Sequence, residues 1–214
     1  EFRRVLFRSD SDLWERIKGL PPAPPLQLDG RFDLIAELKL TSPAMGVLCG
    51  SDDDLEARVL AYASAGAAVV SVLTEPDRFD GSLAHLRRAS SALRVAGIPA
   101  MRKDFLVDPY QLLEAREAGA GGVLLIVRML YETVLREMLD LAATLGLFVL
   151  LETFDAAEVA IAERLAAAWK GEATHCLIGV NSRDLVTLKV VPERLEELAS
   201  SLPKAFPRVA VSGL

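Results

Sequence analysis

The chain has 214 residues, of which 51% are hydrophobic and 25% charged, and its formal net charge is −6 at pH 7. This length suits one large domain with a sizeable core, and the composition is that of a globular protein rather than a disordered or membrane-spanning one. The negative charge gives no basic footprint for nucleic acids or anionic lipid surfaces. We therefore expect neither nucleic acid nor a membrane among its partners.

Cysteine usage points to a reducing compartment. Cys49 and Cys176 are far apart and lie in no metal-ligand spacing, so they indicate neither a disulfide framework nor a zinc site. We expect a cytoplasmic protein that binds no metal.

The first 31 residues are interpreted as a lead-in. Residues 1–9 lack an initiator Met and the apolar core of a signal peptide, and we interpret them as vector-derived or gene-fragment sequence. Residues 12–20 are predicted to form a short amphipathic helix that the proline-rich segment 21–25 ends. A single domain follows, spanning residues 32–214.

Apolar runs and helical periodicity alternate regularly through that domain. The predicted strands are residues 32–39, 67–74, 98–102, 121–127, 147–152, 176–181 and 208–212. The predicted helices are residues 52–66, 83–96, 109–118, 131–145, 156–169 and 192–201. The strands are continuous apolar runs, which is typical of a parallel sheet covered on both faces and built from βα units.

Two architectures fit this alternation, a doubly wound open sheet and a (β/α)₈ TIM barrel. The first predicted strand ends in Glu37-Leu38-Lys39 without the glycine-rich turn of a dinucleotide-binding sheet. Polar residues instead end strand after strand, namely Glu37, Lys39, Ser71, Lys103, Glu152, Asn181 and Ser212. A barrel gathers such ends around one mouth, so the sequence predicts a (β/α)₈ barrel, truncated after its seventh strand.

Two lysines and two carboxylates are the candidate catalytic groups. Glu37 and Lys39 are two residues apart on one strand and project to the same side, where Lys103 and Glu152 join them from other strands. In a dry cleft their pKa values can be driven apart, which provides a proton donor and a proton acceptor near neutral pH. For Glu37 and Lys39 a structural ion-pair network is the alternative.

Small polar loops supply candidates for phosphate binding. Ser42 follows the first strand, and Ser212-Gly213 follows the seventh. Backbone N–H groups and hydroxyls of such loops often bind phosphate in barrels. The alternative is that Ser42-Pro43 and Ser212-Gly213 are ordinary turn dipeptides.

Two further side chains have alternative roles. Phe79 offers an aromatic face to a flat substrate, or it packs as a lid on the core. Arg183 follows Asn181 and offers a guanidinium group to the mouth, while pairing with Asp184 across the rim is the favoured role.

Several motifs in one order carry a family resemblance that runs from residue 32 to the end. They are Ile35-Ala36-Glu37-Leu38-Lys39 with Ser42-Pro43, Ser71-Val72-Leu73-Thr74 with Phe79-Asp80-Gly81-Ser82, Arg102-Lys103-Asp104-Phe105 with Asp108-Pro109-Tyr110-Gln111, Leu124-Leu125-Ile126, Glu152, Gly179-Val180-Asn181-Ser182-Arg183-Asp184-Leu185 and Ser212-Gly213. With these motifs the chain resembles the indole-3-glycerol-phosphate synthases, the ring-closing enzymes of tryptophan biosynthesis.

The resemblance implies a lyase that converts 1-(o-carboxyphenylamino)-1-deoxyribulose 5-phosphate to indole-3-glycerol phosphate, with release of carbon dioxide and water. It implies no metal or organic cofactor and an anionic, phosphorylated substrate. The protein is expected to be a monomer, or to be fused to or associated with other enzymes of the tryptophan pathway.

The resemblance also assigns roles. Lys103 resembles the general acid at the ketone, and Glu152 the proton-transfer partner in dehydration. Glu37 and Lys39 match residues that shape the charge of the site, with Lys39 placed to meet the substrate carboxylate. Asn181 matches a contact to the sugar. Ser42, Ser212 and Gly213 match phosphate contacts, and Phe79 and Arg183 complete the expected substrate-binding set.

The chain departs from the family pattern at two places. Leu40 and Met45 stand where family members often carry basic residues, which reduces the attraction for an anionic substrate. The eighth strand, with its Gly-Ser turn, is missing. A phosphate-binding barrel isomerase and a catalytically inactive barrel kept for binding or channelling therefore remain alternatives.

We expect residues 1–214 expressed alone to turn over little substrate, because the phosphate site is half built and the first and seventh strands have unpaired edges. A version extended by the eighth βα unit is expected to be active. Steady-state turnover of the two proteins provides the measurement, and equally robust activity in both contradicts the expectation.

Overall fold

The structure, a computed structural model, describes residues 10–30, 32–42, 46–47, 54–171, 175–185 and 187–212. Seven parallel strands form one sheet, in which each strand lies beside the next of them along the chain. They are β1 (Leu34–Leu38), β4 (Ala67–Leu73), β5 (Ala100–Lys103), β6 (Gly122–Ile126), β7 (Phe148–Thr153), β8 (Cys176–Asn181) and β9 (Arg208–Val211). After β1, the short strands β2 (Thr41–Ser42) and β3 (Gly46–Val47) pair antiparallel.

Helices alternate with the strands of the sheet. They are α1 (Asp10–Lys18), α2 (Leu55–Ser64), α3 (Pro76–Phe79), α4 (Leu83–Leu93), α5 (Tyr110–Glu117), α6 (Glu132–Leu145), α7 (Ala156–Ala167) and α8 (Glu193–Ala199). The predicted alternation is confirmed, with strands neighbouring in sequence order as in a barrel. No described helix is both long and apolar enough to cross a membrane.

The helix α3 was not predicted. Glu75 accepts hydrogen bonds from the backbone N–H groups of Asp77 and Arg78, and Pro76 occupies the first helical position. Proline at that position loses no hydrogen bond, and an acceptor at the N-cap satisfies free N–H groups. This single turn sets the place of Phe79 after β4.

Each face of the sheet has its own apolar core. On one face, Val72, Val123 and Leu151 pack with the helices. On the other face, Met101, Leu124, Phe148, Leu150 and Leu177 form a second buried cluster. Alternate residues of the same strands therefore enter two cores. A sheet that encloses a core of its own, inside a layer of helices, is the architecture of a (β/α) barrel.

Glycine makes room for the largest side chain of the inner core. Gly122 on β6 lies beside Phe148 on β7, and a Cβ atom at residue 122 would come within 2.4 Å of the Phe148 ring. Phe148 is 1% exposed, so its ring has no free space into which to move. The ring fills the barrel interior only because residue 122 has no side chain.

We expect Gly122→Ala to destabilise the fold by about 1–3 kcal/mol, because it overpacks the inner core. Denaturant unfolding measures this loss, and Gly19→Ala is the control, since its new Cβ would meet only Arg16 O at 3.7 Å. The double variant Gly122→Ala/Phe148→Leu should recover part of the loss. A single variant as stable as the control contradicts the packing argument.

Candidate active site

Strand alternation brings five of the predicted residues to one end of the barrel interior. Glu37 is opposite Ser71 in the β1–β4 register, and Lys103 is opposite Leu73 in the β4–β5 register. Glu152 lies one residue before the end of β7, opposite Gly179 of β8, and Asn181 ends β8. Lys39 follows β1. Parallel strands place all these carboxyl-terminal ends at the same mouth.

Glu37 bridges the two lysines. Its Oε1 atom accepts a hydrogen bond from Lys39 Nζ at 2.6 Å, and its Oε2 atom accepts one from Lys103 Nζ at 2.5 Å. Burial alone would raise the pKa of Glu37, but the charges and hydrogen bonds of Lys103 and Lys39 outweigh it and lower the pKa overall. Glu37 is therefore an ionised carboxylate that holds both ammonium groups at the mouth.

Glu152 has the opposite environment. It is 2% exposed, and burial raises its pKa, although the charge of Lys103 and the Asn181 hydrogen bond act against that rise. Asn181 Nδ2 donates to Glu152 Oε1 at 3.1 Å. The other oxygen, Oε2, has no hydrogen-bond partner within the described part of the chain. One mouth thus contains an ionised carboxylate and a second carboxyl group that is held toward its neutral form.

Asn181 is fixed by three hydrogen bonds. Besides its bond to Glu152, its Oδ1 atom accepts from the Arg183 backbone N–H at 2.8 Å. Its main-chain carbonyl oxygen accepts from Arg194 Nη1 at 2.7 Å. These partners determine which way the amide faces, and so direct its NH₂ group at Glu152.

Acid–base chemistry is what this set of groups supports. Carboxyl groups with pKa values driven in opposite directions, next to two ammonium groups, provide a donor and an acceptor of protons. No group of three or more His, Cys, Asp or Glu side chains in the described ranges is arranged to hold a metal ion.

The candidate phosphate residues are only partly described. Ser212 is half-buried after β9 and has a positive φ of 58°, and the neighbouring Val211 carbonyl accepts a hydrogen bond from Ser182 N–H at 3.0 Å. The backbone of Ser42 lies in β2. Gly213 and Met45 lie outside the described residues. The phosphate site stays a prediction.

Phe79 and Arg183 lie at the rim. Phe79 ends α3 and lines a small cleft that also includes Lys39, Leu73 and His85. The Arg183 guanidinium donates to Leu188 O at 2.9 Å. Phe79 therefore lies near Lys39, and Arg183 supports the loop after β8.

Asp184 forms further hydrogen bonds within the same loop. Its Oδ1 atom accepts hydrogen bonds from the backbone N–H and the hydroxyl of Thr187, at 2.7 and 3.0 Å. The loop after β8 is therefore fixed locally as well as through Asn181.

Sequence reasoning missed Arg194. It lies in α8, 13 residues beyond Asn181, and its guanidinium also lies over the Phe154 ring, 5.7 Å from the centroid. Arg128 lies over the same ring at 4.2 Å. No local pattern marks these arginines, because their partners are brought close only by the fold.

Comparison with known proteins gives one consistent family. The family model described as "Indole-3-glycerol phosphate synthase" matches residues 25–214. Proteins of that name are 44% identical over 185 residues in Parafrankia sp. and 39% identical over 208 residues in Mycolicibacterium smegmatis. These alignments cover 86% and 95% of this chain, and 64% and 71% of the respective relatives. The chain thus spans about two thirds of the length of these curated relatives.

A solved structure shares the fold. Thiamine phosphate pyrophosphorylase from Pyrococcus furiosus is similar with a TM-score of 0.50 at 15% sequence identity. The similarity covers 77% of this chain and 70% of that one. At this identity the likeness concerns the fold alone.

We expect Glu152→Gln to stabilise the fold at neutral pH. Because the folded state raises the pKa of Glu152, ionising this carboxyl costs stability as pH rises from its ordinary value of 4.5 through the raised one. Glutamine removes that cost and can still accept the Asn181 hydrogen bond. The gain should be greatest at neutral pH and vanish below about pH 4.

Urea unfolding of both proteins between pH 4 and pH 8 is the measurement. Glu132→Gln, which removes a carboxylate from an exposed ion pair with Arg164, is the control and should change stability little at any pH. A Glu152→Gln protein that is less stable than the parent at pH 7 contradicts the expectation.

Proposed function

This chain belongs to the indole-3-glycerol phosphate synthase family, and on that premise we propose that its mouth is the active site of a carbon–carbon lyase that closes the indole ring. The proposed substrate is 1-(o-carboxyphenylamino)-1-deoxyribulose 5-phosphate. The proposed products are indole-3-glycerol phosphate, carbon dioxide and water. The observation that carries the proposal is the pair of carboxyls, Glu37 ionised between two ammonium groups and Glu152 buried beside Asn181.

Lys103 is the proposed acid of the first step. When the aromatic carbon that bears the carboxylate attacks the ketone carbon, an electron pair moves onto the ketone oxygen. A positioned ammonium group stabilises that charge and supplies the proton that turns the oxygen into a hydroxyl. The Glu37 hydrogen bond keeps the Lys103 ammonium at the mouth.

Lys39 is the proposed partner of the substrate carboxylate. It shares Glu37 with Lys103, so its ammonium is held beside the first one. Loss of carbon dioxide returns the bonding electrons to the ring and restores its aromaticity. A cation placed at the carboxylate orients the substrate for attack, and Phe79 beside Lys39 offers a surface for the aromatic ring.

Glu152 is the proposed acid and base of the dehydration. In its neutral form it protonates the departing hydroxyl, and the resulting carboxylate then takes the hydrogen from the adjacent ring carbon. These two transfers return Glu152 to its starting form and complete the indole. Burial supports the neutral starting form, and the Asn181 bond to Oε1 leaves Oε2 for the exchange.

The remaining contacts are proposed from the family pattern. Asn181 binds the sugar, and Ser42, Ser212 and Gly213 bind the phosphate through hydroxyls and backbone N–H groups. Arg183 belongs to the same substrate-binding set. The positive φ of Ser212 supports the phosphate-binding role of that residue, since it marks a sharp turn directly after β9.

The test follows carbon dioxide and indole separately in the version extended by the eighth βα unit, which is called the full-length protein below. We expect Lys103→Ala to lower both rates by about 10²–10⁴-fold, because it removes the acid of the first step. Glu152→Gln should still release carbon dioxide in a single turnover but form the fluorescent indole product far more slowly, because only dehydration needs the second acid.

Lys170→Ala is the matched control, since Lys170 is exposed and its ammonium lies 3.8 Å from Asp140. It should leave both rates unchanged. The proposal is wrong if the unmodified full-length protein forms no indole product, or if Lys103→Ala retains the parent rates.

A further inference from the structure

Arg102 is a buried cation on the helix-covered face of the sheet. It is 4% exposed and precedes Lys103 at the end of β5. Its Nη1 atom donates to Gln111 O at 2.8 Å and to Glu114 Oε2 at 3.2 Å. Its Nη2 atom donates to Asp104 Oδ2 at 3.0 Å, and its Nε atom donates to Thr74 Oγ1 at 3.2 Å.

The position of this charge is unusual within the sheet. The neighbouring strands β4 and β6 present Val72 and Val123 to the same helix-covered core, and β7 presents Leu151. A buried ion pair costs desolvation of both charges, and an apolar side chain of similar volume is often as stabilising. Stability of the core alone therefore does not call for an arginine here.

The network fixes the backbone on both sides of Lys103. Asp104 Oδ2 also accepts from the Thr74 hydroxyl at 2.6 Å, and Asp104 Oδ1 accepts from the Phe105 N–H at 2.8 Å. The Thr74 N–H donates to the carbonyl oxygen of Lys103 itself at 3.0 Å. Arg102 and Asp104 point away from the mouth, while Lys103 between them points into it.

The same contacts fix the spacing between strands. Thr74 directly follows β4, which lies between β1 with Glu37 and β5 with Lys103. A lysine side chain has four rotatable bonds and high rotamer freedom, so only a fixed backbone makes its ammonium position reproducible. The Lys103–Glu37 distance therefore depends on how firmly the ends of β4 and β5 are joined.

We propose that Arg102 is a positioning residue for Lys103. It joins the ends of β4, β5 and α5 on the outer face, and so holds the Lys103 ammonium against Glu37 on the inner face. The expected effect of Arg102 on turnover rests on the proposed function, in which Lys103 is the acid. Its expected effect on the position of the Lys103 ammonium does not depend on that function.

Three variants separate positioning from general stability. Arg102→Met removes the guanidinium group, and Thr74→Val removes only the hydroxyl that links Arg102 to Asp104. Arg116→Met is the matched control, because Arg116 is 5% exposed and also donates from a buried site, to the carbonyl of Pro21. Arg116 lies near the carboxyl end of α5, at the barrel end away from the mouth.

The first readout is acylation of lysines by acetic anhydride at one fixed pH, followed by mass spectrometry, with the exposed Lys170 as internal reference. A lysine side chain that is held against Glu37 is shielded from the reagent, and one that leaves Glu37 is accessible to it. We expect Lys103 to react about tenfold faster in Arg102→Met, because its side chain then leaves Glu37 more often. Thr74→Val should increase the rate in the same direction, and Arg116→Met should not change it.

The second readout is turnover per folded molecule. Arg102→Met should lower kcat about 10²-fold with little change in KM, as a misplaced catalytic group does. In a Lys103→Ala background the same substitution should cost almost nothing further, because its effect passes through Lys103.

The acylation result decides the inference, even if Arg102→Met fails to fold, because Thr74→Val reports on the same network. Equal Lys103 reactivity in Thr74→Val and Arg116→Met overturns it. Absence of turnover in the unmodified full-length protein overturns the proposed function instead, and leaves the acylation comparison valid.

Discussion

The site depends on a single carboxylate shared by two ammonium groups. Glu37 gives one oxygen to Lys39 and the other to Lys103, and this arrangement joins the end of β1 to the end of β5 across the intervening β4. Two cations that are close together repel each other, and the carboxylate between them offsets that repulsion. The mouth can therefore present two positive charges to an anion without destabilising the barrel around it.

The inner and outer faces of the sheet have different roles in the site. On the inner face, apolar side chains fill the interior and the polar groups occupy only the strand ends. On the outer face, one buried guanidinium network stabilises the strand end that carries Lys103. Because alternate residues of a strand point to opposite faces, the side chains that hold the backbone and the side chain that meets the ligand can be neighbours in sequence.

The sequence was sufficient to predict the features that depend on local periodicity. The parallel strands follow from continuous apolar runs. Glu37, Lys103 and Glu152 meet because side chains alternate between the two faces of a strand and because a barrel brings the carboxyl ends of its strands to one mouth. The same period of two places Asp104 on the outer face, where its carboxylate accepts hydrogen bonds from Thr74 and Arg102.

Other features depend on contacts between distant segments. Arg194 binds the carbonyl of Asn181 from another element, and Arg102 binds Thr74 across 28 residues. Nothing local distinguishes such arginines from surface residues. The turn α3 was missed because it is stabilised by one side-chain cap rather than by periodicity.

The packing of Phe148 against Gly122 limits how deeply a ligand can enter the barrel interior. The ring, together with Leu150, Leu124 and Leu26, fills the barrel below the polar layer with apolar side chains. Below the strand ends the described interior is therefore packed with apolar side chains, and a ligand that enters at the mouth cannot go deeper than this layer. A molecule bound among Glu37, Lys103 and Glu152 therefore rests on an apolar floor, which offers it no hydrogen bond from below.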